Sequence, residues 1–593
     1  MSGVYTRSFR WKMRIIFAVT FVIGMVPLLF WMTKLILPWE NYGGSIMVKT
    51  LPRQFSSQRQ DSDSDLKKTV DIDEKAQDKS LEEYEPKKIK IYNFSDIIRD
   101  FNISLYKDID PYRFCINVTK THETSVNRQV LDTRPGECNS VKYNIMSLPV
   151  ASIVIPVFNE PWSTFERLIN SILKHSPRLL LQEIIIIDDK SDLDYLGAPL
   201  QKYVEQFVFM HLHRTKERLG TMKTRVMGTK LAKADVVVFL DSHTEVNAGW
   251  LEPLLYEISQ NGTAIVQPSI DIIDAQTFEY SKYFDNNIRG HFKWSMAYTF
   301  VPLTPQQMTA VRAQPTKAFD TPAIVGCAFA VNRKYFLDIG GLDTGMRTWG
   351  GEDVELSIRV WLCGGSMKIS PCSHVAHIFK AGHPFKMEYS DLVYNNRRTA
   401  EMWLGDYRKY FYYFNAGFAK PPEATDKFDI MDPVKKKFKC KGFGWFLQNV
   451  FPELEVPPEG TLYFGTLRNS ASDCVGPSDS VKLQSYPLLV SAYCYLYYKA
   501  RNFALLENGR LMIDGKCIKV RQDLLVVGPC TNGIGKWSLK EKLLMYIDGS
   551  ISKCATQVTK VINSEKLQVI KLMPCIDTTK TSEWEFANKI FKG

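Results

Sequence analysis

Apolar and polar positions alternate in two rhythms through the middle of the chain. Residues 152–156 and 183–189 are short runs rich in Val and Ile, which is typical of strands buried on both faces of a sheet. Between them, apolar residues at positions 165, 168, 169, 172 and 173 recur at helical spacing. The alternation continues with strands at 208–212 and 235–241 around a helical segment at 221–234. This order predicts right-handed strand–helix–strand units and an α/β fold with a largely parallel sheet.

A long apolar stretch near the start of the chain predicts a membrane anchor. Residues 15–32 carry no charge, and as a helix they would span about 27 Å, close to the thickness of a hydrocarbon core. Basic residues on the preceding side predict a cytoplasmic tail at 1–14, a transmembrane helix at 15–34 and a type II orientation. A cleaved signal peptide is the weaker alternative, because the apolar stretch is too long and no small-residue cleavage site follows it.

The rest of the composition narrows the class of protein. A chain of 593 residues with 45% hydrophobic residues is too long for one core and too apolar for disorder, so two or three domains are expected. The net charge of +11 does not indicate a nucleic-acid partner, because the basic residues are scattered and no nucleic-acid-binding motif accompanies them.

A polar segment and four glycosylation motifs fit a secretory protein. Residues 52–90 are rich in Gln, Ser, Asp, Lys and Glu, so we expect an unstructured stem within residues 35–105. The glycosylation triplets begin at Asn93, Asn102, Asn117 and Asn261, which agrees with a lumenal location without proving it.

Acidic residues and a histidine follow two of the predicted strands. Asp188 and Asp189 end one strand, and Asp241 and His243 end another. Ligands of parallel sheets bind beyond the carboxyl ends of the strands, where these side chains are expected. An Asp and a His two positions apart in extended backbone project to the same side and form half of a shell for Mn²⁺ or a similar ion. Taken by itself, this spacing fits a turn with a helix cap at least as well.

Several motifs together resemble the polypeptide N-acetylgalactosaminyltransferases. The resemblance runs from residue 125 to the C-terminus, in the family's order and spacing. Its most specific parts are Phe239-Leu-Asp-Ser-His243, Trp250-Leu-Glu-Pro-Leu-Leu255, Asp343-x-Gly-Met346, Trp349-Gly-Gly-Glu352, Trp361-x-Cys-Gly-Gly365 and Pro371-Cys-Ser373 with His377.

The resemblance implies a fold and a reaction. The expected fold is a GT-A nucleotide-diphospho-sugar transferase domain at 106–440, with a Rossmann-like sheet, followed by an all-β ricin-type β-trefoil lectin domain at 461–593. The implied reaction moves N-acetylgalactosamine from UDP-GalNAc to Ser or Thr of acceptor polypeptides with retention of configuration. It initiates mucin-type O-glycosylation in the Golgi and requires Mn²⁺.

The resemblance also assigns roles to residues. Asp241, His243 and His377 would bind the metal ion, and Asp189, Arg218, Trp349, Lys380 and Phe385 would contact the nucleotide sugar. Trp349, Glu352 and Asp353 would lie at the reacting sugar.

The chain departs from the family's usual residues at several of these positions. Pro156 replaces a Thr, Asp353 an Asn, Lys380 an Arg and Phe385 a Tyr, while Val325-Gly-Cys-Ala-Phe329 replaces Ala-Gly-Gly-Leu-Phe. A carboxylate at 353 repels a diphosphate unless it is protonated or paired, and Lys offers no bidentate fork. Weakened donor binding leaves two alternatives open. One is a degenerate or inactive member that acts as a binding or lectin-like protein, and the other is a transferase with another donor or acceptor.

The cysteines and a threefold repeat complete the resemblance. It implies the pairs Cys138–Cys372 and Cys363–Cys440, and leaves Cys115 and Cys327 to pair or stay free. After residue 461, three similar units each contain two cysteines, and we expect one bridge in each unit. Sugar-binding units of ricin-type lectins place an Asp two residues after the first cysteine, and all three units here lack it. Glycopeptide binding by this domain is therefore doubtful.

Overall fold

The computed structural model describes residues 111–282, 287–380, 382, 388–415, 427–470, 473–493, 502–531, 535–575 and 582–589. The predicted cytoplasmic tail, anchor and stem lie outside these residues, as do Asn93, Asn102 and Phe385. Among the helices that the structure describes, none is both long and apolar enough to cross a membrane. The anchor at 15–34 therefore stays a prediction.

A mixed sheet of ten strands forms the centre of the N-terminal half. The strands of this half are β1 (Ala151–Val157), β2 (Leu181–Asp188), β3 (Met210–Arg214), β4 (Val236–Leu240), β5 (Thr244–Val246), β6 (Ala264–Ile273), β7 (Tyr280–Ser281), β8 (Ile288–Phe292), β9 (Tyr298–Pro302), β10 (Phe319–Asp320), β11 (Ala328–Asn332) and β12 (Ser366–Ile378). The main path of the sheet runs in the order β10-β12-β6-β11-β4-β1-β2-β3, with β5 paired to β12 and β7 to β6. The other two strands, β8 and β9, form a separate hairpin.

The predicted parallel core is confirmed, but the sheet as a whole is less parallel than expected. Strands β4, β1, β2 and β3 are mutually parallel, as the strand–helix–strand pattern predicted. Strand β11 then runs antiparallel to both β4 and β6 and separates the parallel set from the parallel pair β6 and β12. Because β11 is buried on both faces, its apolar sequence looks the same for either direction.

Helices cover both faces of this sheet and create two hydrophobic cores. The core residues of β1 divide between them, with Ile153 and Ile155 in one and Val154 in the other. Alternation of side chains across a buried strand produces this division. The helices are α1 (Val118–Glu123), α2 (Trp162–His175), α3 (Ala198–Val204), α4 (Thr221–Leu231), α5 (Leu251–Gln260), α6 (Pro305–Ala313), α7 (Arg333–Asp338), α8 (Glu352–Leu362), α9 (Tyr389–Trp403), α10 (Arg408–Phe414), α11 (Asp432–Phe438) and α12 (Phe443–Asn449).

The second of these cores extends past the predicted end of the catalytic domain at 440. Phe443 and Phe446 of α12, with Phe451 and Leu454 after it, pack in the same cluster as Phe292. This segment belongs physically to the α/β half, since its aromatic side chains have their partners there.

The C-terminal half is an all-β region with its own core, as predicted. Trp537 and Trp584, at 3% and 1% exposure, are central members of that core. Packing therefore explains both residues. The strands are β13 (Thr461–Asn469), β14 (Asp473–Leu483), β15 (Tyr486–Tyr493), β16 (Asn502–Leu506), β17 (Leu511–Ile513), β18 (Lys516–Arg521), β19 (Leu524–Gly528), β20 (Lys536–Lys540), β21 (Leu543–Asp548), β22 (Ile551–Ile562), β23 (Glu565–Met573) and β24 (Trp584–Lys589).

The disulfides follow the expected pairing. Bridges join Cys138 to Cys372 and Cys363 to Cys440 in the α/β half. In the all-β half, Cys517 pairs with Cys530 and Cys554 with Cys575. Cys474 is also disulfide-bonded, and its expected partner Cys494 lies outside the described residues. The remaining possibility, a bridge between Cys115 and Cys327, is not formed, and Cys327 is a buried free thiol.

Candidate active site

Three predicted metal ligands meet at one edge of the sheet. Asp241 directly follows β4, His243 lies two residues further on, and His377 lies near the end of β12. Strand β5 pairs antiparallel with β12 so that Thr244 stands opposite His377, which brings the two histidines together. One potential ligand atom from each of the three side chains lies within 4.8 Å of the others.

The donor atoms of this cluster are compatible with a divalent cation. Arg225 Nη2 donates to Asp241 Oδ1 at 2.7 Å, and Glu160 binds His243 Nδ1 at 2.7 Å. Asp241 Oδ2 and His243 Nε2 remain for a ligand. His377 Nε2 lies 3.6 Å from Asp241 Oδ2, a separation that suits two ligands each about 2.1 Å from one ion. Two imidazole nitrogens and one carboxylate oxygen form a donor set that Mn²⁺ and its neighbours accept.

The protonation states also fit metal binding, which needs an ionised carboxyl and neutral imidazoles. Burial by itself raises the pKa of Asp241, but the Arg225 guanidinium and the two histidines outweigh it and lower that pKa to about 2. Burial, only partly offset by Asp241, lowers the pKa of His377 to about 4. At neutral pH the carboxyl is ionised and this imidazole is neutral.

The cluster lies in a cavity of about 530 Å³. Every predicted site residue that the structure describes lines this cavity, namely Asp189, Arg218, Asp241, His243, Trp349, Glu352, Asp353, His377 and Lys380. Phe385, the remaining one, lies outside the described residues. A volume of this size accommodates a ligand of nucleotide-sugar dimensions.

Asp189 and Arg218 form one side of the cavity. Asp189 accepts a hydrogen bond from the Arg218 guanidinium and from the backbone N–H groups of Leu219, at 2.7 Å, and Gly220, at 2.8 Å. The guanidinium also stacks over the Phe158 ring, 3.6 Å from its centroid. These contacts fix the loop ahead of α4 at the wall of the cavity.

The turn that opens helix α8 forms another part of the cavity wall. Gly350 and Gly351 both have positive φ, 94° and 83°, which lets the chain turn sharply from Trp349 into Glu352 at the start of the helix. A Cβ on Gly351 would lie only 2.6 Å from Asn396 Oδ1. Glycine is therefore required here both by the backbone conformation and by the available space.

Glu352 and Asp353 are two acids side by side in the first turn of α8. Burial raises the pKa of Glu352, although Arg225 Nη1, 3.7 Å from its Oε1, opposes that rise. Burial and then the charge of Glu352 raise the pKa of Asp353 to about 7. The substituted carboxyl is thus partly protonated near neutral pH, which moderates the repulsion expected from its sequence.

Two residues at the cavity were not anticipated from the sequence. Glu160 accepts hydrogen bonds from His243 and from Lys380 Nζ, so the ammonium expected to meet phosphate pairs with a carboxylate here. The sequence contains an indication of Glu160, because Asn159 and Glu160 closely follow strand β1, as the other acids follow β2 and β4. Arg225 contacts both Asp241 and Glu352 from inside helix α4, and nothing in a helical pattern distinguishes such an arginine from a surface one.

Comparisons with known proteins agree with this geometry. A family model described as glycosyl transferase family 2 matches residues 152–340, and one described as the N-terminal domain of galactosyltransferase matches residues 306–384. The chain is 40% identical over 367 residues to polypeptide N-acetylgalactosaminyltransferase 4 of Mus musculus. That match covers 61% of this chain and 62% of the mouse protein. It is also 37% identical over 365 residues to polypeptide N-acetylgalactosaminyltransferase 10 of Homo sapiens, covering 60% of this chain and 58% of that protein.

A solved structure resembles the chain over a longer stretch. The crystal structure of GalNAc-T7 with UDP, GalNAc and Mn²⁺ is similar with a TM-score of 0.56 and 28% identity. The similarity covers 80% of this chain and 88% of that one. The curated relatives named above are matched over about three fifths of their own length.

Fold, site and family models together define a glycosyltransferase. Within that class, the chain is similar in sequence to polypeptide N-acetylgalactosaminyltransferases 4 and 10 and in structure to GalNAc-T7.

Proposed function

We propose that the chain transfers N-acetylgalactosamine from UDP-GalNAc to Ser or Thr of polypeptides, with retention of configuration and with Mn²⁺ as the metal ion. The observation that carries this proposal is the intact Asp241, His243 and His377 cluster inside a cavity that also contains Asp189 and Glu352. Type II anchoring in the Golgi membrane, with the catalytic and all-β regions in the lumen, belongs to the same proposal. A bound divalent cation would neutralise the diphosphate as it leaves the sugar.

Different residues of the cavity would bind the nucleotide and the phosphates. Arg218, held by Asp189 and stacked over Phe158, orders the nucleotide side of the cavity. Lys380 lies three residues beyond His377, and its ammonium group donates to Glu160. If it turned from Glu160 to the phosphates, it would supply a point charge to them.

The sugar is assigned to the side of the cavity formed by helix α8. Glu352 Oε2 and Asn396 Oδ1 are buried and have no hydrogen-bond partner among the described residues. A buried acceptor without a hydrogen bond destabilises the folded protein, and the hydroxyl groups of a hexose would donate the missing hydrogen bonds. The proposal therefore places the hexose between Glu352 and the metal cluster.

A second candidate is a family member that binds its ligand without turning it over. The engagement of Lys380 by Glu160 and the extra acid at Asp353 favour it, because both reduce the positive charge available to a diphosphate. In the all-β region, the second unit places Lys519 two residues after Cys517, where ricin-type sugar sites have an Asp. We expect no N-acetylgalactosamine binding at the usual site of that domain.

The two candidates are separated by a transfer assay. The full chain would be incubated with UDP-GalNAc, Mn²⁺ and a mixed set of Ser- and Thr-containing peptides, and peptide masses followed for addition of one N-acetylhexosamine. We expect transfer by the wild type and loss of at least about 100-fold in His377→Ala, since a metal ligand is removed. Equal turnover by His377→Ala would contradict the ligand assignment. A folded wild type that modifies no peptide while binding the donor would favour the second candidate.

A further inference from the structure

Glu160 occupies a central position behind the metal cluster. It is buried, with 2% of its surface exposed, in the segment that follows β1. Its Oε2 accepts hydrogen bonds from His243 Nδ1 at 2.7 Å and from Ser242 Oγ at 2.9 Å. Its Oε1 accepts from Lys380 Nζ. One carboxylate therefore contacts both the loop that carries His243 and the strand end that carries His377 and Lys380.

We propose that Glu160 is a positioning residue for the metal site, fixing the tautomer and orientation of His243 and the place of Lys380. This inference rests on the metal binding in the proposed function. It extends that function to a residue outside the set of direct ligands, one that acts on the metal through His243.

The hydrogen bond to Glu160 determines the tautomer of His243. A neutral imidazole carries its proton on one nitrogen only, and a carboxylate accepts but does not donate. Because Glu160 Oε2 faces Nδ1, the proton belongs on Nδ1 and the lone pair on Nε2. Nε2 is the atom left to join Asp241 and His377 in the cluster. Carboxylates in this outer position commonly orient metal-binding histidines.

Glu160 also holds two segments of the backbone in position. Ser242 and His243 are adjacent, and both reach the same carboxylate oxygen, so the loop between β4 and β5 is held at two points. The other oxygen holds Lys380, two residues after the end of β12. Loss of the carboxylate would therefore loosen the two segments that bring the ligands together.

The negative charge of Glu160, and not only the shape of its side chain, is needed for these contacts. Glutamine has nearly the same shape as Glu160 but only one oxygen acceptor. If that oxygen keeps His243 and Ser242, the amide NH₂ must face the Lys380 ammonium, and donor then meets donor. If it keeps Lys380 instead, the NH₂ meets His243 Nδ1 and favours the wrong tautomer.

The chain provides a matched control in Glu183. This residue is equally buried, at 2% exposure, and lies on β2 at the opposite end of the sheet from the cluster. Its Oε1 accepts from Ser152 Oγ at 2.8 Å and from the Lys233 backbone N–H at 2.7 Å. Glu183→Gln therefore reproduces the general cost of replacing a buried, hydrogen-bonded carboxylate.

The test measures Mn²⁺ affinity of the full chain by calorimetry, without donor or acceptor. We expect Glu160→Gln to weaken Mn²⁺ binding by about 10- to 100-fold and Glu183→Gln to leave it within about twofold of wild type. In a His243→Gln background, Glu160→Gln should cause a smaller further loss than in wild type, because part of its effect passes through His243. Wild-type Mn²⁺ affinity in folded Glu160→Gln, or full additivity with His243→Gln, would overturn the inference. A folded wild type that binds no Mn²⁺ would instead contradict the metal requirement of the proposed function.

A second measurement decides the inference even if Glu160→Gln does not fold or the wild type binds no metal. Nitrogen-15 NMR of metal-free wild-type protein labelled at histidine reports which ring nitrogen of His243 carries the proton, with His243→Gln used for assignment. We expect the Nδ1–H tautomer. An Nε2–H tautomer at His243 would overturn the proposed role of Glu160.

Discussion

At the scale of single residues, charge balance inside the cavity dominates the account. Asp241, Glu352 and Asp353 all lie around Arg225, which contacts the first two directly. Burial and then the charge of Asp353 raise the pKa of Tyr298, while burial, the charge of Asp241 and, to a smaller extent, that of Asp353 raise the pKa of Cys327. Neither of these groups supplies a positive charge. A proton on Asp353 lowers the electrostatic repulsion within this group of acids.

The raised pKa of Asp353 leads to a prediction for stability. The folded-state pKa of about 7 lies above the ordinary value of 3.8 for an aspartate, so the folded protein holds this proton over a range where the unfolded chain has lost it. The contribution to stability is therefore fully present below about pH 4 and is lost as pH rises through about 7. The loss amounts to at most about 1.4 kcal/mol per pH unit.

Asp353→Asn should remove that part of the pH dependence. Denaturant unfolding of wild type and variant between about pH 5 and pH 8 measures it, with the two curves diverging as pH rises. The same substitution should strengthen UDP-GalNAc binding above neutral pH, because an uncharged amide replaces a carboxylate near the diphosphate. Parallel stability curves would show that Asp353 does not hold the proton, and unchanged donor affinity would show that its charge does not limit binding.

At the scale of secondary-structure elements, the ends of β4, β12 and helix α8 create the site. The carboxyl end of β4 delivers Asp241, β12 delivers His377, and the Gly350-Gly351 turn delivers Glu352 to the same cavity. Helix α8 points its amino-terminal end into the cavity, and that end of a helix favours negative charge. Its two acids therefore sit where backbone N–H groups stabilise them in part.

The turn before α8 provides a second prediction, with a control at the other end of the same helix. Gly351→Ala should destabilise the protein by more than about 2 kcal/mol, because an alanine at positive φ is strained and its Cβ would contact Asn396 Oδ1. Gly364 has a φ of 87° with no atom within 4 Å of the added Cβ, so Gly364→Ala should cost only about 1 to 2 kcal/mol of strain.

Donor binding separates the two glycine variants further. Gly351→Ala displaces Glu352 and should weaken UDP-GalNAc binding, whereas Gly364→Ala should leave it unchanged. Thermal unfolding and calorimetry measure both effects. Equal losses of stability and affinity in the two variants would contradict the assigned role of the turn.

Much of this arrangement could be predicted from the sequence, and the exceptions have physical reasons. The positions of Asp189 and Asp241 follow from strand periodicity and from the rule that ligands bind beyond strand ends. The direction of β11 did not follow, since a strand buried on both faces carries no record of its neighbours' orientation. Arg225 was missed because its partners are remote in sequence, and only the folded chain brings them to it.

At the scale of the whole molecule, one disulfide ties the beginning of the α/β half to the strand that carries His377. Cys138 precedes β1, and Cys372 lies within β12 five residues before His377, at a sequence separation of 234 from Cys138. The bridge therefore anchors the ligand-bearing strand to the beginning of the domain. Closing so long a loop removes much conformational entropy from the unfolded chain.

Replacing both cysteines of this bridge with serine should lower stability by up to about 5 kcal/mol and weaken Mn²⁺ binding. As a control, the double serine variant of Cys517 and Cys530 opens a bridge with only 13 residues of separation in the all-β region. It should destabilise the protein by about 3 kcal/mol at most and leave Mn²⁺ affinity unchanged. Thermal unfolding with Mn²⁺ calorimetry tests both variants, and intact metal affinity after loss of the first bridge would contradict this anchoring role.

We propose that the Asp241, His243 and His377 cluster makes the cavity a metal-dependent nucleotide-sugar site. Calorimetric titration of the full chain with UDP-GalNAc, in the presence of Mn²⁺ and after its removal by chelation, tests this proposal. We expect binding with Mn²⁺ and at least about tenfold weaker binding without it, since a metal ion held by these three residues would offset the charge of the diphosphate. Binding of equal strength in the two conditions, or no binding to folded protein with Mn²⁺ present, would contradict it.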